Sequence, residues 1–92
     1  MQQEPNEAGF VISAWVVTLA PGGLSRLDVI ETLRRWPDVR VGELAPTGRL
    51  PMTVETPDVR RARDLLETLG ALPGVLHVDV VGIYHEQADQ AA

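Results

Sequence analysis

The chain has 92 residues, the size of a single domain with room for one modest core. Its formal charge is −5 and every basic residue is an arginine, a balance that opposes binding to a phosphate backbone and favours a basic partner. No cysteine is present, which excludes disulfides, thiolate nucleophiles, iron–sulfur clusters and sulfur-ligated zinc.

Taken in chain order, residues 1–9 are polar and aperiodic and read as a loose terminus. Phe10 to Leu19 is rich in Val, Ile and Trp and reads as a strand, central because both of its faces are mostly apolar. Both parities being apolar, the pattern leaves open which face is buried; the preferred assignment sets Val11, Trp15, Val17 and Leu19 inward and Ile12, Ala14, Val16 and Thr18 outward. The longest apolar run, Val11 to Ala20, is too short for a bilayer, and Glu4 and Glu7 stand where a secretory signal carries positive charge. The expectation is a cytoplasmic protein with no membrane insertion.

Pro21-Gly22-Gly23 breaks the strand. Ser25 then offers an N-cap, with Asp28 at the third helical position and Leu24 and Val29 spaced as a hydrophobic staple. The first helix runs to about Arg35, with Glu31 and Arg35 spaced to pair on its wet side. A second strand is read over Val39 to Leu44 and a turn at Ala45-Pro46-Thr47-Gly48. Arg49 to Glu55 alternates cleanly, with Leu50, Met52 and Val54 on one side and Pro51, Thr53 and Glu55 on the other. Thr56 caps a second helix with Pro57 in its first turn, and that helix ends near Leu72. Val75 to Tyr84 forms the last strand, burying Leu76, Val78 and Val80 and turning His77, Asp79 and Val81 outward. Residues 86–92 are read as an acidic tail.

One phrase occurs twice. Asp28-Val29-Ile30-Glu31-Thr32-Leu33 followed by Trp36-Pro37 and Val39 recurs as Asp64-Leu65-Leu66-Glu67-Thr68-Leu69 followed by Leu72-Pro73 and Val75. Each copy sets apolar residues at i, i+1, i+4 and i+7, one stripe of a helix, and a proline stops the stripe before a strand begins. The order β-α-β-β-α-β predicts an α+β, ferredoxin-like sandwich. Its four-stranded antiparallel sheet has order 4-1-3-2, with two helices on one face. We expect one domain over residues 1–92, with an ordered core of about 10–85. The face opposite the helices stays free: a small-residue apolar strip on the first strand flanked by His77, Asp79 and Glu55.

Catalytic chemistry finds little support. Ser13 and Ser25 are the only serines, and no Ser-His-Asp set forms around them. His77 and His85 lack the further ligands a metal site requires, so neither metal nor cofactor is expected. An RNA-recognition surface needs stacking aromatics on the middle strands, where this chain has Leu50, Met52 and Val54. The expectation is a protein that is not an enzyme and does not bind nucleic acid.

The chain resembles the NapD family of cytoplasmic chaperones for periplasmic nitrate reductase. The resemblance covers roughly residues 11–87. It rests on Ser13 to Val17, Leu33 with Trp36-Pro37, Gly48-x-Leu50 with Val54-Glu55, Gly74-Val75-Leu76, and Tyr84-His85 before a Glu/Gln-rich tail. Trp36 replaces an expected phenylalanine, and the stretch from Gly74 to Tyr84-His85 is about two residues longer than is usual for the family, with Gly82 as the expected bulge or bend. The resemblance implies binding of the twin-arginine signal peptide of the molybdenum-containing catalytic subunit, holding it from export until its cofactor is inserted (Tat proofreading). An acidic protein with an apolar sheet face suits a basic pair followed by an apolar stretch. Candidate signal-peptide contacts are Asp79 and Glu55 for the arginines, with Glu43 and Glu86 behind them, Ala14, Val16 and Val81 for the apolar part, and His77, Tyr84 and His85 beside them. The expected state is a monomer or weak dimer. The alternative is an ACT-like regulatory or assembly domain for a small ligand, acting as a dimer through its sheet.

Overall fold

The computed structural model describes residues 9–87. Six elements follow one another: β1 (Gly9–Leu19), α1 (Gly23–Arg34), β2 (Val39–Val41), β3 (Arg49–Thr56), α2 (Val59–Gly70) and β4 (Val75–Gln87). The strands form one antiparallel sheet of order β2-β3-β1-β4. Read from its other edge, that is the expected 4-1-3-2, and the architecture is the expected ferredoxin-like α+β sandwich.

The repeated phrase is structural. Val29, Ile30 and Leu33 of α1 and Leu65 and Leu69 of α2 are buried, and Leu66, Trp36 and Leu72 pack against the same core. Trp15, Val17 and Leu19 of β1 and Leu50, Met52 and Val54 of β3 supply its sheet side. Full burial of each such side chain is worth about 1.5–3 kcal/mol, so the two stripes hold both helices to the sheet. The two copies also stop alike. Trp36 N–H donates to Leu33 O and Val39 N–H to Trp36 O at 3.1 and 3.2 Å, matched by Leu72 to Leu69 and Val75 to Leu72 at the same distances.

The helix starts differ from the sequence reading. α1 begins at Gly23 with Gly22 as its N-cap, at a φ of 121°, so Ser25 lies within the first turn and Asp28 beyond it. A glycine meets the tight exit from β1 because the left-handed backbone there disfavours any side chain. The expected Leu24–Val29 staple falls with that shift, and the Leu24 side chain lies outside the described ones. Asp58, not Thr56, caps α2: its carboxylate accepts from the Arg61 N–H at 2.8 Å. Thr56 ends β3, buried, and its hydroxyl donates to the Asp58 carbonyl at 2.9 Å. α2 stops at Gly70 rather than Leu72, whose N–H closes a tighter final turn. Glu31 meets Arg34 at 3.9 Å in place of Arg35, an exposed contact of little energetic weight.

β2 covers only Val39–Val41, short of the expected Leu44. Pro51 accounts for this. Its carbonyl accepts from Gly42 N–H at 2.8 Å, and a strand residue's N and O face the same side, so the missing donor also faces β2 where regular pairing ends at Val41 opposite Met52. β1 and β4 extend beyond the expected limits, taking in Gly9 at one end and residues 85–87 at the other. The rest of both expected tails, residues 1–8 and 88–92, lies outside the described residues.

Candidate functional site

β1 follows the expected parity. Val11, Ser13, Trp15, Val17 and Leu19 are buried, and the intervening residues Ile12, Ala14, Val16 and Thr18 are half-buried on the face away from the helices. Register then assembles that open face rung by rung. Thr53, Ala14 and Gly82 lie side by side, with Arg40 beyond Thr53. The next rung holds Pro51, Val16 and Asp79; the one after it holds Arg49, Thr18 and His77. In the other direction Glu55, Ile12 and Tyr84 align.

β4 departs from the sequence reading. Its register against β1 shifts twice, between Thr18 and Leu19 and between Ala14 and Trp15. Leu76 and Val81 are the extra residues. The expected burial of Leu76 and Val80 fails: Leu76 is 64% exposed and Val80 41%. A bulge leaves one residue outside the ladder and exchanges the faces of those beyond it. Val75, Val78 and Val80 thus share the helix side, and His77, Asp79, Gly82 and Tyr84 the open side. The bulge at Val81 is adjacent to Gly82, where an accommodation was expected. Without it, Tyr84 would turn to the helix face.

The small side chains of Ala14, Val16, Pro51 and Thr53 leave a shallow groove of 360 Å³ on the open face, with Val81 and Arg40 also lining it. Gly82 allows the Tyr84 ring to fold back along the strand: the phenol oxygen lies 3.2 Å from where a Cβ on Gly82 would stand. The groove is therefore polarised. Arg40 stands at its β2 side, and Asp79 with His77 stands at its β4 side. His77 Nε2 and Asp79 Oδ1 are 2.9 Å apart, both side chains well exposed. Asp79 and the position of Gly82 sit on neighbouring rungs, two residues of β1 or about 7 Å apart, so the carboxylate and the Tyr84 ring lie within reach of one cationic ligand.

The remaining candidates separate from this cluster. Glu55 sits on the open face but four residues of β1 and two strand spacings from Asp79, roughly 17 Å away. It lines a second cleft, of 420 Å³, with Phe10, Asp38 and Arg40. Asp38 is engaged there by Arg61 Nε at 3.0 Å. Glu43 is exposed in the β2–β3 connection. The backbone of His85 pairs with that of Val11 and that of Glu86 with Phe10; both side chains lie outside the described ones. Sequence reading missed Arg40 as a groove residue, although its place in the Val39-Arg40-Val41 alternation already put it on the open face. It also missed the fold-back of Tyr84, which a glycine two residues before an aromatic could have suggested.

Among the described residues, no group of three or more His, Cys, Asp or Glu is placed to hold a metal, and no helix is long and apolar enough to cross a membrane. An open antiparallel sheet with both helices behind it and an apolar, charge-flanked groove in front defines a ferredoxin-like domain built to present a surface. Within that class, the structure is similar to the solution structure of the E. coli Tat proofreading chaperone protein NapD. The TM-score is 0.72 and the identity 26%, over 91% of this chain and 85% of that one. No family model matches the sequence, and no curated protein does. The structural likeness bears out the NapD-family resemblance read from the residues. That neighbour is a chaperone and not an enzyme, which supports a chaperone role for this chain.

Proposed function

We propose that this protein is a cytoplasmic proofreading chaperone. It binds the twin-arginine signal peptide of the molybdenum-containing catalytic subunit of a periplasmic nitrate reductase and holds it from export until the cofactor is inserted. The observation that carries this reading is the polarised groove on the open sheet face. Arg40 repels a basic pair from the β2 side, so the arginines lie toward Asp79, where a carboxylate can accept two N–H bonds from one guanidinium. The Tyr84 ring offers a second arginine an aromatic face. The apolar stretch that follows then covers half-buried Ala14 and Val16 and exposed Val81, removing their apolar surface from water. Glu55, roughly 17 Å from Asp79, suits a contact further along the peptide rather than the arginine pair itself.

Calorimetric titration with such a signal peptide, and with copies carrying Lys-Lys or Ala-Ala for the arginine pair, tests this reading. The expected result is micromolar binding that weakens at least about ten-fold for Ala-Ala, since about 1.4 kcal/mol of lost charge-assisted contact is a factor of ten. Indifference to the arginines, or no binding in that range, overturns it.

A further inference from the structure

The sheet has one long free edge among the described residues. Among the described residues β4 pairs only with β1, and it exposes Leu76, Val80, Val81, Ile83 and Tyr84. The opposite edge, β2, is three residues long, a length that protects against further pairing. β4 contains neither lysine nor proline, the residues that commonly blunt an edge. Its two bulges interrupt it but leave His77 to Val80 as a regular segment between them.

That segment is complementary to itself. In an antiparallel ladder, directly opposed residues share a face, so a strand meeting its own copy about a two-fold axis must be centred on a residue. Centring on His77 opposes histidine to histidine, and centring on Asp79 opposes aspartate to aspartate, a destabilising pair. Centring on Val80 leaves Asp79 opposite Val81. Centring on Val78 opposes Val78 to Val78 and His77 to Asp79 on both sides, all within the regular segment. The 2.9 Å contact between His77 and Asp79 within one chain shows that the two side chains share the open face and already meet there. A copy in this register adds a second aspartate to each histidine and closes a ring of alternating partners.

We propose that two copies of this chain join through β4, antiparallel and centred on Val78, into one continuous eight-stranded sheet built from two four-stranded ones. The axis stands perpendicular to the sheet, so all helices stay on one side and the two open faces become one surface. Sedimentation of the full chain without peptide, from about 1 μM to about 500 μM, reads the association by mass action. The wild type is expected to dimerise within that range. His77→Asp opposes aspartate to aspartate twice and is expected to weaken dimerisation about ten-fold. The exchanged pair, His77→Asp with Asp79→His, keeps the complementarity and is expected to restore it. A wild type that stays monomeric, a His77→Asp variant that dimerises unchanged, or an exchange that fails to restore association each overturns the proposal. A wild type whose β4 amides gain exchange protection only when a peptide is added also overturns it, and assigns the edge to the peptide instead.

Discussion

Gly48→Ala is the substitution whose cost follows most directly from the structure. Gly48 ends the turn between β2 and β3 with a φ of 93°, and its carbonyl accepts from Leu19 N–H at 2.8 Å, tying the hairpin to the end of β1. Arg26 reaches over it from α1, and its Nε donates to the Ala20 carbonyl at 3.0 Å. A Cβ on residue 48 would stand 3.1 Å from the Leu19 carbonyl oxygen and inside contact distance of the Arg26 guanidinium. The left-handed backbone costs an L-residue about 1–2 kcal/mol. Displacing Arg26 adds about 1 kcal/mol for a part-buried charged donor, and the stiffer unfolded chain returns about 0.4–1 kcal/mol. The net loss is about 2 kcal/mol, out of roughly 5–14 kcal/mol for a chain of this length. Urea unfolding followed by the fluorescence of Trp15 and Trp36 measures it, with a fall in Tm of roughly 8–16 °C alongside. In an Arg26→Ala background the clash with the guanidinium disappears while the Leu19 contact stays, so the two substitutions should couple by about 1 kcal/mol. A loss under about 0.5 kcal/mol, or simple additivity, refutes this account of the turn.

Two further substitutions separate folding from binding. Asp58→Ala removes the N-cap of α2 and leaves the Arg61 N–H unpaired, so urea unfolding should show a loss of about 1 kcal/mol with signal-peptide affinity unchanged. Asp79→Lys leaves the fold intact because the site is exposed. It should weaken peptide binding about five-fold by calorimetry, near 1 kcal/mol once solvent screening of a half-exposed carboxylate is taken into account. Affinity equal to the wild type's would remove Asp79 from the arginine site.

Much of the architecture was legible in the residues because each local signal has a local cause. The two apolar stripes, the prolines after Trp36 and Leu72, and the Ala45–Gly48 turn place helices and strands without reference to the rest of the chain. The alternation of β3 fixed its buried face, since polar residues occupy the other parity. The helix caps were less legible. Thr56, Asp58, Ser25 and Gly22 are all competent near a helix start, and the choice depended on how β1 and β3 leave the sheet.

β4 marks the boundary between what the sequence determined and what the tertiary structure decided. Alternation in Val75 to Tyr84 turned Val78 inward and His77 and Asp79 outward, as the structure has them, but it carries no sign of the bulges and missed that Leu76 and Val80 stay exposed. The faces follow from the register against β1, and that register changes at Leu76 and Val81 because the strand has two more residues than its partner's ladder accepts. Hydrogen bonds between distant segments set that count, not any property of the residues themselves. The order of elements in the sequence pointed to an open sheet face, and strand alternation supplied Ala14, Val16 and Asp79. Only the folded sheet brought Tyr84 over Gly82, set Arg40 across the groove from Asp79, and left the outer edge of β4 unpaired among the described residues.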